Sequence, residues 1–176
     1  MNFSELIKTR QSVRSFNPAK EVEKEKIISC LEAARLTPSA CNSQPWKFTV
    51  CSGKKAKEIA SCVSDAIMNK WAKDVPVFIV ISEENYNVTA KIGSNLKSQD
   101  FRTGDIGAAC LEFCLQATEL ELGTCIIGWF TQKEIQKAIN TKKKVHLVIA
   151  LGYPTEDYPI RNKNRKKLED ITEWLE

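Results

Sequence analysis

The sequence predicts an α+β fold, because segments with helical and strand patterns follow one another without a regular βα repeat. Some segments carry apolar residues at intervals of three and four, whereas others are short and rich in β-branched residues. No Gly-x-Gly-x-x-Gly string is present, which argues against a doubly wound dinucleotide-binding fold. With 176 residues, 43% of them hydrophobic, the chain is expected to form a single domain, residues 1–176.

The longest predicted helix, 105–122, carries an apolar stripe together with the small residues Gly107 and Ala108. It is therefore predicted to be largely buried and to pack closely against another helix. Thr131 and Glu134 have the spacing of a capping box at the start of a later helix. The predicted helices are 2–9, 22–36, 54–72, 105–122 and 131–139, with one or two further helical turns over 168–175.

Three strands are predicted, at 47–51, 76–82 and 145–151. The middle one is continuously apolar, as is typical of a strand that is buried on both faces. Residues 124–130 form a further short apolar segment, and residues 83–102 are polar and expected to be irregular. The pattern shows no internal repeat and no domain linker.

The charge and the apolar segments exclude several classes of protein. A net charge of +4 suits an anionic ligand but is far from the composition of a nucleic-acid-binding protein. The N-terminus has no apolar stretch of signal-peptide length, and the apolar run 75–81 is too short to cross a bilayer. We therefore expect a cytoplasmic protein without a membrane or nucleic-acid partner.

The seven cysteines and the single histidine do not indicate a metal site. Disulfides are not expected in a chain without an export signal, and no Cys-x-x-Cys motif is present. Cys110 and Cys114 lie four apart on a predicted helix, where they are either two small buried apolar residues or a redox or ligand pair. His146 is interpreted as a strand residue, and no Gly-x-Ser-x-Gly motif accompanies it. We predict no metal ligand and no catalytic side chain.

Residues 10–14, Arg-Gln-Ser-Val-Arg, place two guanidinium groups and a hydroxyl close together. Guanidinium binds phosphate through two parallel charge-assisted hydrogen bonds and stays protonated at any useful pH. Taken alone, such a cluster is more often a solvated basic surface. Its meaning depends on what accompanies it elsewhere in the chain.

Two further segments accompany it. Residues 37–48 read Thr-Pro-Ser-Ala-Cys-Asn-Ser-Gln-Pro-Trp-Lys-Phe, and Gly-Tyr-Pro at 152–154 is followed by Arg-Asn-Lys-Asn-Arg at 161–165. In content and order, the three segments resemble the FMN-dependent nitroreductase family, and the resemblance runs from residue 10 to residue 165. The string Pro-Ser-x-x-Asn-x-Gln-Pro-Trp is its most specific part.

The resemblance implies a nitroreductase-like fold, with a central, mostly antiparallel sheet flanked by helices, and a homodimer with flavin sites at its interface. It implies FMN as the cofactor and NADH or NADPH as the electron donor. The expected reaction is ping-pong hydride transfer through flavin N5 to a small-molecule electron acceptor, such as a nitroaromatic compound or a quinone. The protein supplies position and electrostatic field, and the flavin carries the redox chemistry.

Other functions stay open at this point. A related branch of the family would dehalogenate or dehydrogenate a different acceptor, and a flavin-binding or electron-carrying protein would have little turnover. A nucleic-acid-binding module built on the basic residues 161–167 would lack the usual aromatic platform for stacking.

The resemblance also assigns cofactor contacts to individual residues. Three cations are expected at the phosphate, and Arg14 is expected beside the ring edge, where its charge would stabilise the reduced flavin. Residues 38–42 are expected to pack on the flavin of the partner subunit, and residues 127–129 to line the face beneath the ring. Trp129 departs from the small or acidic residue of many relatives, and either narrows the acceptor slot or stacks on the ring. The expected cofactor-binding residues are Arg10, Lys163 and Arg165 at the phosphate, with Gln11, Ser12, Arg14, Pro38, Ser39, Ala40, Asn42, Ile127, Gly128 and Trp129.

Overall fold

The computed structural model describes residues 1–65 and 67–175, and these residues fold as helices on both sides of one sheet. The helices are α1 (Phe3–Thr9), α2 (Lys24–Arg35), α3 (Lys54–Val63), α4 (Val88–Lys97), α5 (Arg102–Glu119) and α6 (Gln132–Ala138). The strands are β1 (Trp46–Ser52), β2 (Val77–Glu83), β3 (Gly123–Ile127) and β4 (Val145–Gly152). Short 3₁₀ turns lie at Ala40–Asn42 and Lys70–Asp74.

The four strands are ordered β1-β2-β4-β3, and every neighbouring pair is antiparallel. The prediction of an α+β fold with a central antiparallel sheet is therefore confirmed. All seven residues of β2 are buried, which explains the continuous apolar run in the sequence. β3 lies at one edge of the sheet, where its outer side is free to pair with another segment of the chain.

Each face of the sheet carries its own hydrophobic core. On one face, α2 and α5 pack against each other and against alternate residues of the strands, such as Ile79 and Ile149. On the other face, α3 and α6 cover Phe78, Val148 and Ile127. Cys110 and Cys114 are both buried in the first core, which favours their interpretation as small apolar residues.

Helix α5 is buried on one side only, so the prediction that it is largely buried is correct for half of its surface. Ile106, Cys110 and Phe113 face the core, whereas the opposite face exposes Gly107 and Leu111. Nothing lies within 4 Å of where a Cβ of Gly107 would stand. One face of this helix is therefore open in the single chain.

The helix predicted over 54–72 ends at Val63, and this part of the prediction is wrong. Asp65 accepts hydrogen bonds from the backbone N–H groups of Ile67 and Met68, and Asn69 adopts a left-handed conformation with φ of 54°. Such local bonds compete with the helical backbone pattern and replace it. Ala66, which fell within the predicted helix, lies outside the described residues.

Helix α4 forms within the segment 83–102 that was expected to be irregular. The Asn87 side chain accepts a hydrogen bond from the Ala90 N–H and so caps the first turn. Val88, Ile92 and Leu96 recur every four residues, but all three are exposed, so this apolar stripe faces away from the core, and of the helix only Ala90 is buried.

Two smaller features also differ from the sequence prediction. Thr131 precedes α6, but its side chain makes no capping hydrogen bond, so the predicted capping box is wrong. Over 168–175 no helix forms, and only a hydrogen-bonded turn between Lys167 and Ile171 is present. Ile171 and Trp174 are largely exposed there, which leaves a short helix without packing to stabilise it.

Within 1–65 and 67–175, no helix is both long enough and apolar enough to cross a membrane.

His146 lies in β4, as predicted, and belongs to an ion-pair network around the buried Glu83. The Oε1 atom of Glu83 lies 2.8 Å from both Lys144 Nζ and His146 Nδ1, and its Oε2 lies 3.6 Å from Arg102 Nη1. Burial by itself raises the pKa of Glu83, but the hydrogen bonds from Lys144 and His146 and the nearby positive charges lower it further than burial raises it. The pKa is therefore held below its ordinary value. The network joins the end of β2 and the start of β4 to the start of α5.

Replacing Glu83 with glutamine should lower the free energy of unfolding by roughly 2 kcal/mol at pH 7, because three cationic or polar partners lose their shared carboxylate. A carboxyl group with a lowered folded-state pKa stabilises the protein above its unfolded pKa and loses that effect on acidification. The deficit should therefore shrink below about pH 4. Urea unfolding of the flavin-free protein at several pH values measures this, and Glu84→Gln, which removes a more exposed ion pair with Lys143, is the control. A deficit that stays constant down to pH 3 would contradict the assignment.

Candidate functional site

The two ends of the chain meet in a pocket of about 310 Å³. The N-terminal wall comes from residues 10–14 and the C-terminal wall from residues 161–165. Five of the lining residues are cationic, and none of the described lining residues is acidic. The lining residues are Arg10, Gln11, Ser12, Arg14, Arg161, Asn162, Lys163, Asn164 and Arg165. We call this space the cationic pocket.

The edge of the sheet holds the N-terminal wall in place. Helix α1 ends at Thr9, after which the chain runs parallel to β3, with Ser12 beside Thr124. The Val13 N–H donates to the Thr124 carbonyl at 2.8 Å, and the Val13 side chain is buried. A Cβ at Gly123 would lie 2.8–3.0 Å from three atoms of Val13, so this close approach requires a glycine.

Gln11 ties the C-terminal wall to the N-terminal one. Its amide nitrogen donates to the Pro159 carbonyl at 2.9 Å, and its amide oxygen accepts from the Arg161 N–H at 3.1 Å. The Arg161 guanidinium donates to the Ser12 carbonyl, and the Lys163 ammonium donates to the Lys8 carbonyl. Both ends of the Gln11 amide are thus engaged within the protein, so Gln11 shapes the pocket.

Tyr158 supports the N-terminal wall of the pocket, and it was not identified as a site residue from the sequence. Its hydroxyl accepts a hydrogen bond from the Arg14 N–H at 3.0 Å and donates to the Ser12 carbonyl at 3.3 Å. Arg161 was also absent from the expected set, although it lies in the basic run that was noted. The sequence signal for Tyr158 was its place just before that basic run, because a tyrosine in a polar segment is expected to pack its ring on the protein and to hydrogen-bond through its hydroxyl.

The electrostatics of the cationic pocket favour an anion. Partial burial, together with the positive charges of Arg10 and Arg165, lowers the pKa of the Lys163 ammonium group. Like charges that repel one another in this way are stabilised when a ligand of opposite charge lies between them. Guanidinium and ammonium donors without a competing carboxylate are suited to a phosphate group.

The open end of β3 forms a second part of the site. Gly128 is exposed, and a Cβ there would meet nothing within 4 Å. Ile127 is 3% exposed with its side chain in the core, so only its backbone faces this space. The alternation along the strand instead exposes Ile126, which the sequence interpretation missed. Trp129 is exposed, and its indole N–H donates to Asp65.

The cationic pocket and Gly128 lie along one edge of the sheet. Ser12 pairs with Thr124, and Gly128 lies four residues further along the strand direction, about 13 Å away at the usual rise of a strand. An elongated ligand with an anionic end could therefore contact both places.

Residues 38–42 lie at the other end of α5. The Ala40 N–H donates to the Asp105 carboxylate, near the start of α5, whereas Thr118, near its end, lines a small pocket with Gln11. Thirteen residues of helix separate Asp105 from Thr118, which corresponds to about 20 Å. One chain therefore does not bring Pro38, Ser39, Ala40 and Asn42 to the cationic pocket.

The loop that contains residues 38–42 is nevertheless firmly held. Cys41, Asn42 and Gln44 all have positive φ, an unusual conformation for residues other than glycine. The Ser39 hydroxyl accepts from the Gln44 N–H at 2.9 Å, and Asn87 donates to the Cys41 carbonyl at 2.8 Å. Backbone strain of this kind, maintained by several hydrogen bonds, is common in functional loops.

The family model of the nitroreductase family matches residues 7–73 and 63–153 of the chain. The chain belongs to the nitroreductase family. A relative from Methanothermobacter thermautotrophicus, named "Putative NADH dehydrogenase/NAD(P)H nitroreductase", is 30% identical over 163 residues, which cover 89% of this chain and 80% of the relative.

Solved structures share this nitroreductase fold. An FMN-dependent nitroreductase from Clostridium difficile R20291 has a TM-score of 0.70 and 27% identity, over 94% of this chain and 92% of the other. A nitroreductase family protein from Streptococcus pneumoniae TIGR4 has a TM-score of 0.83 and 21% identity, over 99% and 100% of the two chains. These three relatives are thus matched over 80% to 100% of their own length.

Proposed function

We propose that this nitroreductase family member is an FMN-dependent NAD(P)H oxidoreductase that reduces nitroaromatic compounds, quinones or related acceptors. The observation that carries the proposal is the cationic pocket, in which Arg10 near one end of the chain and Arg165 near the other line the same space. The name of the Clostridium difficile relative supports FMN, and that of the Methanothermobacter relative supports NAD(P)H.

The residues of the cationic pocket fit the phosphate group of FMN. That group is close to a dianion at neutral pH, and Arg10, Lys163 and Arg165 supply three positive charges and several donors. Partial burial and repulsion by Arg10 and Arg165 lower the pKa of Lys163, and such a ligand would relieve the repulsion. Ser12 adds a hydroxyl donor, and Gln11 keeps the two walls at a fixed spacing.

The open end of β3 fits the ring system of FMN. Gly128 leaves space for a flat group to approach the backbone, and the exposed Trp129 follows it directly in the chain. Arg14, whose backbone is fixed by Tyr158, would hold a positive charge near negative charge that develops on the ring. When bound, FMN supplies the redox chemistry by accepting electrons from NAD(P)H and passing them to the acceptor in a ping-pong cycle.

We infer that residues 1–176 form one domain and that two copies form a homodimer. Because residues 38–42 are held far from the cationic pocket of their own chain, they are available to complete the site of a partner subunit. The exposed face of α5, with Gly107 and Leu111, and the exposed Trp174 add apolar surface that a second copy would cover. The cytoplasmic location expected from the sequence stays a prediction.

Colour and turnover test the proposed function. The purified protein should be yellow, release FMN on denaturation, and oxidise NADH or NADPH when a quinone or nitroaromatic acceptor is added. Size-exclusion chromatography with light scattering should give the mass of a dimer. A colourless protein that also fails to bind added FMN would overturn the proposal. FMN binding without NAD(P)H oxidation would instead indicate an electron carrier with little turnover.

A further inference from the structure

Two hydrogen bonds hold the exposed Trp129 in place beside the open end of β3, and a third fixes the chain just after it. Its indole N–H donates to Asp65 Oδ2 at 2.9 Å, and its carbonyl accepts from the Asn69 side chain at 3.5 Å. Two residues further on, the Thr131 N–H donates to the Cys62 carbonyl at 3.0 Å. The indole is thus tied to the end of α3 although 61% of the residue is exposed.

Asp65, which holds the indole, is itself fixed by the backbone that follows it. Its Oδ1 atom accepts from the N–H groups of Ile67 and Met68 at 2.7 and 2.6 Å. The hydrogen bonds from Met68, from the Trp129 indole and from Ile67 lower the pKa of Asp65, so the carboxylate stays ionised at neutral pH. With both oxygens engaged, the carboxylate fixes the direction of the indole ring.

The surface around the indole is apolar and unusually exposed. Ile67 is 84% exposed and Met68 is 42% exposed on the same short segment. Ordering a large aromatic ring in water costs conformational entropy and leaves apolar area exposed. A ring that is nevertheless held by a hydrogen bond to a fixed carboxylate is better explained by contact with a ligand than by stability of the fold.

We propose that Trp129, positioned by Asp65, is the wall of the acceptor slot and that it selects flat, electron-poor aromatic acceptors over bulky ones. The inference rests on the proposed function, because it requires the FMN ring to lie beside Gly128. Trp129 directly follows Gly128 in the chain and is exposed as Gly128 is, so we place its indole at one side of the space beside Gly128. Its face carries negative electrostatic potential, which favours electron-poor rings, and a fixed ring cannot move aside for a bulky substituent.

The positioning role is tested in flavin-free protein. Asp65→Asn keeps one carbonyl oxygen for the Ile67 and Met68 N–H groups but turns a donor towards the indole. The exchange rate of the Trp129 indole proton is followed by NMR, and Trp129→Phe assigns the signal. We expect Asp65→Asn to speed this exchange by about 10-fold, in line with loss of a hydrogen bond to a charged group. Asp74→Asn, which removes a carboxylate without a bond to Trp129, is the control, and an unchanged rate in Asp65→Asn would overturn the role.

The selection role is tested with two quinones on the same flavin-loaded preparation. The readout is the ratio of kcat/KM for 2,5-di-tert-butyl-benzoquinone to that for benzoquinone, which does not depend on flavin content. Trp129→Ala should raise this ratio by about 10-fold, and Asp65→Asn should raise it in the same direction by less. An unchanged ratio in flavin-loaded Trp129→Ala would overturn the inference and leave the proposed function standing. A wild-type protein that binds no FMN would overturn both.

Discussion

Replacing Arg10 with alanine should weaken the binding of FMN by about 30-fold, because one charge-assisted contact to the phosphate, worth roughly 2 kcal/mol, is lost. Arg10 lies where α1 ends and the chain turns to run along β3, so it is presented by a fixed backbone. Lys163 and Arg165 remain in the variant, and they offset the phosphate charge only in part. Titration of flavin-free protein with FMN, followed by flavin fluorescence, measures the change.

Riboflavin, which lacks the phosphate, makes this prediction specific. The affinity of the Arg10→Ala variant for riboflavin should equal that of the wild type, since the ring contacts are unaltered. Arg35→Ala is a matched control, because Arg35 is an exposed guanidinium on α2 that pairs with Glu32 and lies outside the cationic pocket. If Arg10→Ala weakens FMN and riboflavin equally, Arg10 supports the fold and does not bind the phosphate.

The residues of the cationic pocket have two different roles: some offer charge to a ligand, and others hold the walls together. Gln11 and Arg161 are bonded to each other and to backbone carbonyls, so their main effect is to bring the two ends of the chain together. Arg10 and Arg165 have no such bond across the pocket among the described contacts, and their charges act on Lys163. Loss of a wall residue should therefore weaken FMN binding by displacing several cations of the cationic pocket together, whereas loss of Arg10 removes one contact.

The sequence predicted most of the sheet and of the main helices, because their apolar patterns are strong. β2 is buried on both faces and has a continuous apolar run, so nothing competes with its assignment. The end of α3 was predicted too late because Asp65 and Asn69 form local bonds that depend on their side chains and not on apolar periodicity. Helix α4 was missed because its spaced apolar residues point outwards.

For the candidate site, the three sequence segments identified the cationic residues but not their supports. Tyr158 and Asp65 act through hydrogen bonds to distant parts of the chain, and sequence spacing carries no information about such contacts. Ile126 could have been found from the alternation of β3, had the segment been recognised as a strand at the sheet edge. The roles assigned to individual cofactor-binding residues stay predictions until FMN binding is measured.

Replacing Gly123 with alanine should lower the free energy of unfolding by about 3 kcal/mol and weaken FMN binding by at least about 10-fold. The new Cβ would stand 2.8–3.0 Å from the branched, buried Val13 side chain, including its stiff Cβ. The Ser12–Val13 segment would have to move away from β3, which stretches the Val13 hydrogen bond to Thr124. Because this segment belongs to the N-terminal wall of the cationic pocket, its movement would displace Ser12 and Arg10 together. Urea unfolding of flavin-free protein and FMN titration measure the two effects.

A second substitution shows whether the clash with Val13 is the cause. Val13→Ala removes two of the three close atoms, so the double variant Val13→Ala/Gly123→Ala should be less destabilised than the sum of the single variants. Gly93→Ala, in α4, is the control, because a Cβ there meets nothing within 4 Å and a helical alanine should stabilise by up to about 1 kcal/mol. Strictly additive effects at positions 13 and 123 would mean that the close packing of the N-terminal segment on β3 does not set the stability of the pocket. In that case the double variant should also bind FMN no more tightly than Gly123→Ala alone.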